Sequence, residues 1–407
     1  MTVEDEAVRI GADFFQDPHR LYSELRRTGP VRRVVLPRGV LGWLVTRHAD
    51  AKAVLSDPRL SKDFVRAGEL LERNREPGSP RPEFGEELQA HMLNMDPPDH
   101  TRLRKLVNKA FTVRGVGHLR PRVEQITESL LEAIAEADEV DLIPALAFPV
   151  PMTVICELLG VPAADREAFG GWTRVLLSTS ASTVEITEAG VAVGAYVMEL
   201  IESKRSAPAE DLLTALVEAR EDGDRLSENE LLSMTFLLLL AGHETTVNLI
   251  ANGVLSLLRA PAQAAALRAN PALLPRAVEE FLRFESPVNT ATMRYTTEPV
   301  VVAGVEIPAD EFVVVAIGSA NRDAAAFPDP DTVDIERELN AHLAFGHGIH
   351  YCVGAPLARM EAEVAIGGLL ARFPDLALTG TPLQWRESTI IRGLHSLPVR
   401  LGRTPAQ

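Results

Sequence analysis

Two short stretches of the sequence hold residue types able to do chemistry. One is Phe345-Gly346-His347-Gly348-Ile349-His350-Tyr351-Cys352-Val353-Gly354-Ala355-Pro356, where glycines alternate with larger residues around one of two cysteines. A cysteine ligates a metal as its thiolate, which is favoured where backbone N–H groups and a helix N-terminus point at the sulfur. Glycines permit the tight turns and close backbone approach this needs. Pro356 suits a first helical turn, and Leu357, Met360 and Val364 then keep helical spacing. The stretch predicts a thiolate-presenting loop at a helix start. Zinc is a poor fit for His347, His350 and Cys352, because no fourth ligand sits at suitable spacing. The other cysteine, in Val154-Ile155-Cys156-Glu157-Leu158, reads as an inert core thiol.

The second stretch is Ala241-Gly242-His243-Glu244-Thr245-Thr246. It interrupts a helical pattern that opens on Ser227-Glu228-Asn229-Glu230, a capping-box signature, and runs to Ala260 before Pro261. At ~1.5 Å per residue such a helix is ~50 Å long, enough to cross a domain. It is apolar nearly all round from Leu231 to Leu240, which predicts burial. A polar break there has two readings. Thr245 can return its hydroxyl to the Ala241 carbonyl and merely bend the helix. Alternatively Glu244 and Thr245, an acid beside an alcohol, can relay protons into a site closed to water. A local bend is compatible with both. His243 is expected on the helix side away from such a site.

The elements that must position these stretches are mostly helical. Apolar spacing predicts helices over 19–27, 48–55, about 100–110, 120–136, 150–159, 164–177, 184–204, 211–220 and 272–284. Alternation at 31–36 and 41–46, parted by Pro37-Arg38-Gly39, predicts a hairpin, and 293–295, 300–303, 312–316, 389–391 and 397–401 read as short strands. Residues 63–89, dense in Arg, Glu, Gly and Pro, read as a mobile loop or lid. No repeat or linker appears, so the expectation is one mainly α domain spanning residues 1–407. With 46% hydrophobic and 24% charged residues a sizeable core is possible. The net charge of −16 argues against nucleic acid and anionic membranes as partners. No apolar run approaches the ~20 residues of a membrane span. Two cysteines cannot build a disulfide framework, and residues 1–20 show no signal-peptide core; a cytoplasmic monomer is expected.

Taken together the motifs resemble one family, the cytochromes P-450, which are heme-thiolate monooxygenases. Phe345, Gly348, His350, Cys352 and Gly354 match its heme-binding signature at every fixed position. Ala241-Gly242-x-Glu244-Thr245 resembles its oxygen-activating motif, Glu280-x-x-Arg283 its buried pair, and His100-x-x-x-Arg104 the helix that holds a heme propionate. Segments 96–104 and 241–248 are similar to soluble actinobacterial enzymes that hydroxylate macrolides, and to relatives acting on steroids or vitamin D.

The resemblance implies the cytochrome P-450 fold: mainly α with a small β-rich region, heme lying between the long helix and the cysteine-loop helix. It implies heme b ligated by Cys352, with O2 as co-substrate, because thiolate ligation favours O–O cleavage. Glu244 and Thr245 would manage protons, Ala241 and Gly242 would let oxygen approach the helix, and Phe345, Gly346 and Gly354 would shape the loop around the sulfur. His100, Arg104, Arg294 and His350 would hold the propionates. Glu280 and Arg283, joined by Arg337, would be structural. Met92, Leu93, Leu176, Leu177, Leu238, Val288, Asn289, Thr290, Ala291, Thr292, Ile391 and Leu394 would wall a mostly apolar pocket, with Asn289, Thr290 and Thr292 as polar contacts. A large hydrophobic substrate follows: a macrolide, other polyketide or steroid-like compound, hydroxylated or epoxidised. Electrons would come from NAD(P)H through a ferredoxin reductase and ferredoxin. The run from Arg102 to Arg122, with Arg104, Lys105, Lys109, Arg114 and Arg120 and no acidic residue, would be the docking face. The rivals are a peroxide-driven relative, which would need less of a proton relay than the intact Glu244–Thr245 pair offers, and a heme sensor or carrier, which would need neither relay nor open pocket.

Overall fold

The capping box forms as its sequence predicts. Ser227 Oγ accepts from Glu230 N and the Glu230 carboxylate accepts from Ser227 N, which starts a helix, Glu228–Arg259, of 32 residues. In the computed structural model, which describes residues 7–80, 85–114, 116–219, 225–338 and 340–402, this helix runs through the main hydrophobic core. Val247, Leu249, Ile250, Ala251, Val254, Leu255 and Leu257 are buried along its second half, so nearly every face is covered. It is also the one helix among the described residues long and apolar enough to cross a membrane, and 78% of that apolar window is buried inside the protein. Helices Pro149–Leu159, Thr183–Ser206, Leu274–Phe284 and Ala355–Arg372 pack around it.

The β structure is small and sits to one side. Six short strands lie in the order Val8–Arg9, Val31–Val35, Leu41–Val45, Phe312–Val315, Arg294–Thr296 and Leu60–Ser61. The expected hairpin is antiparallel with Val31 opposite Val45, and Leu41–Val45 then pairs in parallel with Phe312–Val315. The turn between the hairpin strands places Arg38 and Gly39 at φ 62 and 71, a left-handed region that glycine enters freely.

Three expectations change. Residues Phe64–Arg73, read as lid, form a helix capped by Asp63, whose carboxylate accepts from Arg66 N at 2.8 Å. Its apolar stripe is short because it covers only a patch of sheet, where Leu70 meets Val40, Tyr295 and Phe312. Ion pairs from Arg66 and Arg73 to Asp310 hold its outer face. The piece 389–391 is no strand; Ile391 makes one isolated bridge to Val288. Helices Ala12–Gln16 and Pro261–Ala269 went unread, the second because Pro261 both ends one helix and occupies the first turn of the next.

Glu280 and Arg283 are both fully buried. The Glu280 carboxylate takes two bonds from Arg283, at 2.7 and 2.8 Å, and one from Arg337 Nε at 3.1 Å. Arg283 also donates to the carbonyls of Asn321, Pro330 and Thr332, and Asp334 N donates to Glu280. The group thus pins the irregular chain that leads into the cysteine loop. Removing one member of such a buried network strands the others. Arg283→Ala is expected to lower stability by about 3–5 kcal/mol, read from the urea unfolding midpoint, whereas Arg337→Ala, at the edge of the group, should cost less.

Candidate active site

The cysteine loop is built by backbone geometry. Gly346 and Gly348 stand at φ 74 and 77, and Cys352 N donates to the Phe345 carbonyl at 2.9 Å, which closes the loop into a turn. Helix Ala355–Arg372 starts just behind, with Pro356 in its first turn. The sulfur opens onto a cavity of about 460 Å³. Burial pushes the Cys352 thiol up, and amide bonds from Gly354 and Ala355 with the charges of Arg104 and Arg359 pull it back only in part. The loop therefore presents a ligand that a metal would deprotonate on binding, rather than a standing thiolate. Among the described residues no group of three His, Cys, Asp or Glu is arranged to hold a metal ion, so the zinc arrangement does not form.

Basic residues gather along the same cavity. His100, Arg104, Arg294 and His350 all line it, and the rings of His100 and His350 lie 4.5 Å apart. Two further members escaped the sequence reading. His91 lines the wall, and Lys62, buried behind it, bonds through Nζ to the Thr292 hydroxyl. Burial drives every one of these groups toward its uncharged form: Lys62 well below its usual value, Arg294 to about 10, His91 to about 4 and His350 to about 2. The carboxylate acting on Lys62, His100 and Arg294 is Asp96, which is engaged by the Ser61 hydroxyl and the Lys62 amide. His100 Nε2 and His91 Nδ1 are buried without a partner. Three basic side chains and two orphaned imidazole nitrogens around one acid call for an anionic guest.

Across the cavity runs the polar break of helix Glu228–Arg259. Thr245 Oγ1 donates to the Ala241 carbonyl at 3.0 Å, so the back-bonded geometry is present. Gly242 lines the cavity, and a Cβ there would stand 2.7 Å from Ile155, so the glycine also serves the approach of helix Pro149–Leu159. His243 is fully buried on the far side, its Nδ1 donating to the Leu239 carbonyl at 2.9 Å while Nε2 accepts from Thr173 Oγ1 at 3.1 Å. Glu244 is 2% exposed and paired with Arg386, a residue from the C-terminal segment that nothing in its local sequence marks out. Burial alone would raise the Glu244 carboxyl, but the Arg386 guanidinium, helped by the Asn248 amide, outweighs it, and the group is held below the usual carboxylate range. The acid of the pair is thus an ionised acceptor. On the helix that follows Cys352, Glu361 is in the opposite state. Fully buried, with neither oxygen hydrogen-bonded and only the Thr246 side chain opposing the burial, it is pushed up to about 8.

The rest of the wall is mostly apolar, with Gln89, Asn94, Thr246 and Thr292 among its polar members. Met92, Leu93, Leu177, Leu238, Val288, Ala291, Thr292 and Ile391 line the cavity, with Ala241, Gly242, Phe345, Gly346 and Gly354; Leu176, Asn289, Thr290 and Leu394 do not. Leu176 packs on the core from outside and Leu394 lies within it. Asn289 accepts from Tyr22 Oη at 3.2 Å, and Thr290 Oγ1 donates to the Thr389 carbonyl at 3.0 Å. Of the three polar contacts expected for a substrate, Asn289 and Thr290 are spent on structure, and Thr292 lines the cavity with its hydroxyl accepting from Lys62. The basic run is spent likewise: Arg102 pairs with Glu230, Arg120 with Glu363 and Arg122 with Glu157. Lys105 is left exposed, and the side chains of Lys109 and Arg114 lie outside the described residues.

Comparison with known proteins agrees with this geometry. The family profile described as cytochrome P-450 matches residues 185–383. Cytochrome P-450 107B1 of Saccharopolyspora erythraea is 56% identical over 391 residues, covering 96% of either chain. The chain belongs to the cytochrome P-450 family. The vitamin D(3) 25-hydroxylase of Pseudonocardia autotrophica is 48% identical, covering 96% of this chain and 95% of that one. The solved structure of the tirandamycin C-bound P-450 monooxygenase TamI superposes with a TM-score of 0.90 at 50% identity, over 97% of this chain and all of that one. The fold is the cytochrome P-450 fold, and the protein is a P-450 monooxygenase, an oxidoreductase of the class that uses heme-thiolate iron, O2, redox partners and small-molecule substrates. The residues fit that cofactor: the Cys352 sulfur faces the cavity, and the basic cluster supplies what two propionates lack. Arg294→Gln is expected to weaken retention of heme about tenfold, measured by transfer of heme to an acceptor protein; an unchanged transfer rate would remove Arg294 from the cluster.

Proposed function

We propose that this P-450 monooxygenase inserts one oxygen atom into a large, uncharged, hydrophobic small molecule such as a macrolide, another polyketide or a steroid-like compound, by hydroxylation or epoxidation. One observation carries the reading. The cavity joining Cys352 to Thr245 is walled by apolar side chains, and Glu244, the carboxylate among its described lining residues, is already paired with Arg386. Such a wall favours shape-fitting apolar compounds over cations. The names of the relatives, a vitamin D(3) hydroxylase and a tirandamycin-bound monooxygenase, point the same way.

In this reading Cys352 ligates heme b, and Lys62, His91, His100, Arg104, Arg294 and His350 hold its propionates. The heme is held without covalent bonds, since neither Cys156 nor Cys352 belongs to a Cys-x-x-Cys-His sequence. The iron of the bound heme supplies the activation of O2. The chain supplies the protons and the enclosure. Thr245, freed from the Ala241 carbonyl, offers its hydroxyl proton to the cavity, and Glu244, as a carboxylate, accepts a proton from water and passes it on. Glu361, protonated behind Thr246, is an internal reserve. Leu238, Val288, Ala291 and Ile391 exclude bulk water and hold the substrate.

The electrons come from a ferredoxin. Two cysteines, Cys156 buried and Cys352 at the heme, cannot hold an iron–sulfur cluster of the chain's own. Exposed Lys105 supports docking of an acidic partner. The free thiols suit a reducing cytoplasm, and the chain acts there as a single-domain monomer.

A low-spin to high-spin titration with macrolides, steroids and secosteroids, followed by product analysis, tests the substrate class; a shift by charged amines alone would overturn it. Thr245→Ala should still bind such ligands while product per O2 consumed falls about tenfold or more; tight coupling in that variant removes Thr245 from proton delivery. Lys105→Glu should slow reduction by ferredoxin several-fold at low salt and hardly at all at high salt, as for an exposed charge at a docking face.

A further inference from the structure

Arg386 reaches Glu244 from a hairpin remote in sequence. Trp385 bridges Leu394, Arg386 N donates to the Gly393 carbonyl at 2.8 Å, and His395 N donates to the Gln384 carbonyl at 2.9 Å. The tip of this hairpin is part of the cavity wall, through Ile390 and Ile391. It is fastened on two sides: Asn289 N donates to the Ile390 carbonyl at 2.7 Å, and Thr179 N to the Glu387 carbonyl at 2.9 Å. At its base the Arg386 guanidinium binds both the Glu244 carboxylate and Asn248 Oδ1, the latter at 3.0 Å. Gly393 makes this possible, since a Cβ there would collide with Asn248 Oδ1 and the guanidinium. The side chain of Arg386 is 22% exposed while that of Glu244 is 2% exposed, so the pair links a buried carboxylate to solvent.

We propose that Arg386 is the positioning residue for proton delivery: it fixes Glu244 as an oriented carboxylate, and it does so from the same hairpin that forms the substrate wall. This rests on the reading of Glu244 as part of the relay. The charged or titratable groups facing Glu244 are Arg386 from the hairpin and His243 from its own helix, with Arg174 beside His243; Asn248 is the neutral neighbour. Removing Arg386 leaves burial opposed only by the Asn248 amide, because His243 is kept neutral by its own burial, so the Glu244 carboxyl rises. Because the carboxylate is then partly protonated, a process that needs it ionised gains a pH dependence, slower on the acid side. In the native protein, with Glu244 held low, that limb is absent. A substrate seated against Ile390 and Ile391 loads the hairpin directly, which ties the readiness of the relay to the filling of the cavity.

The test uses the heme-loaded full chain as wild type, Arg386→Lys, Arg386→Leu and the double variant Arg386→Leu/Glu244→Gln. Infrared difference spectra between about pH 6 and pH 8 read protonated carboxyl groups. Arg386→Leu should gain a titrating carboxyl band that wild type and Arg386→Lys lack and the double variant loses; the Glu361 band is common to all four. NADPH-driven O2 consumption through a surrogate ferredoxin and its reductase should be flat across this range in wild type and Arg386→Lys. In Arg386→Leu it should fall about tenfold toward the acid end. An Arg386→Leu protein with the wild-type infrared titration overturns the proposal, as does a new band that persists in the double variant. The expected infrared titration with a flat O2 profile overturns the relay reading of Glu244 instead. If Lys and Leu variants lose activity equally and share a lowered thermal midpoint, Arg386 is structural only.

Discussion

Basic side chains resist burial, and this protein buries several of them around one cavity with a single acid among them. Lys62, Arg294 and His350 are all driven toward neutrality by the loss of water. That arrangement is unfavourable for the chain alone, because buried cations without counter-charges lack what water gave them, and it suits an anionic guest. The basic residues arrive from four places in the chain: Lys62 after a short strand, His100 and Arg104 on helix Asp99–Arg114, Arg294 at the start of its strand, and His350 beside the cysteine. The sheet and the helices around it can be understood as the frame that makes those approaches coincide.

Opposite that cluster the logic is reversed. The central helix must stay buried for most of its length, and a buried helix tolerates a polar break only where every polar atom is answered. Thr245 is answered by the Ala241 carbonyl, His243 by Leu239 and Thr173, and Glu244 by Arg386. Glu361, on the helix that follows Cys352, differs: burial pushes its carboxyl up to about 8, with the Thr246 side chain opposing. The helix break and its surroundings thus hold two carboxyl groups shifted in opposite directions, Glu244 down by its partner Arg386 and Glu361 up by burial.

What was legible in the sequence was local. The cysteine loop, the capping box, the i, i+3 pair of Glu280 and Arg283 and the one-turn spacing of His100 and Arg104 all depend on neighbours within a few residues, and the spacing itself encodes the geometry. Lys62, His91, Arg386 and Glu361 were illegible because each acquires its meaning from a partner far away in the chain, such as the 142 residues that separate Arg386 from Glu244. The helix Phe64–Arg73 was misread for a related reason. It needs to bury only one strip against the sheet, so its composition looks like that of a solvated loop. Asn289 and Thr290 show the converse: polar residues in an apolar segment suggested substrate contacts, yet they stand outside the cavity wall and bond to Tyr22 and to the Thr389 carbonyl.

That last error bears on how specificity is built. Thr292 serves Lys62 and Glu244 serves Arg386, so Gln89 and Asn94 are among the few polar groups left in a mostly apolar wall. Fit to such a wall discriminates weakly, since one methylene in an apolar pocket is worth only about 1–3 kcal/mol. Met92, Leu177, Val288, Ile390 and Ile391 shape the cavity from loops and element ends, while Cys352 stands on a loop closed by its own backbone bonds and Glu244 and Thr245 on the central helix. Substitutions on the outer loops can reshape the pocket without disturbing Cys352 or the polar break. The cysteine loop and the polar break are therefore readable from the spacing of residue types, whereas the residues that shape the cavity carry no such spacing.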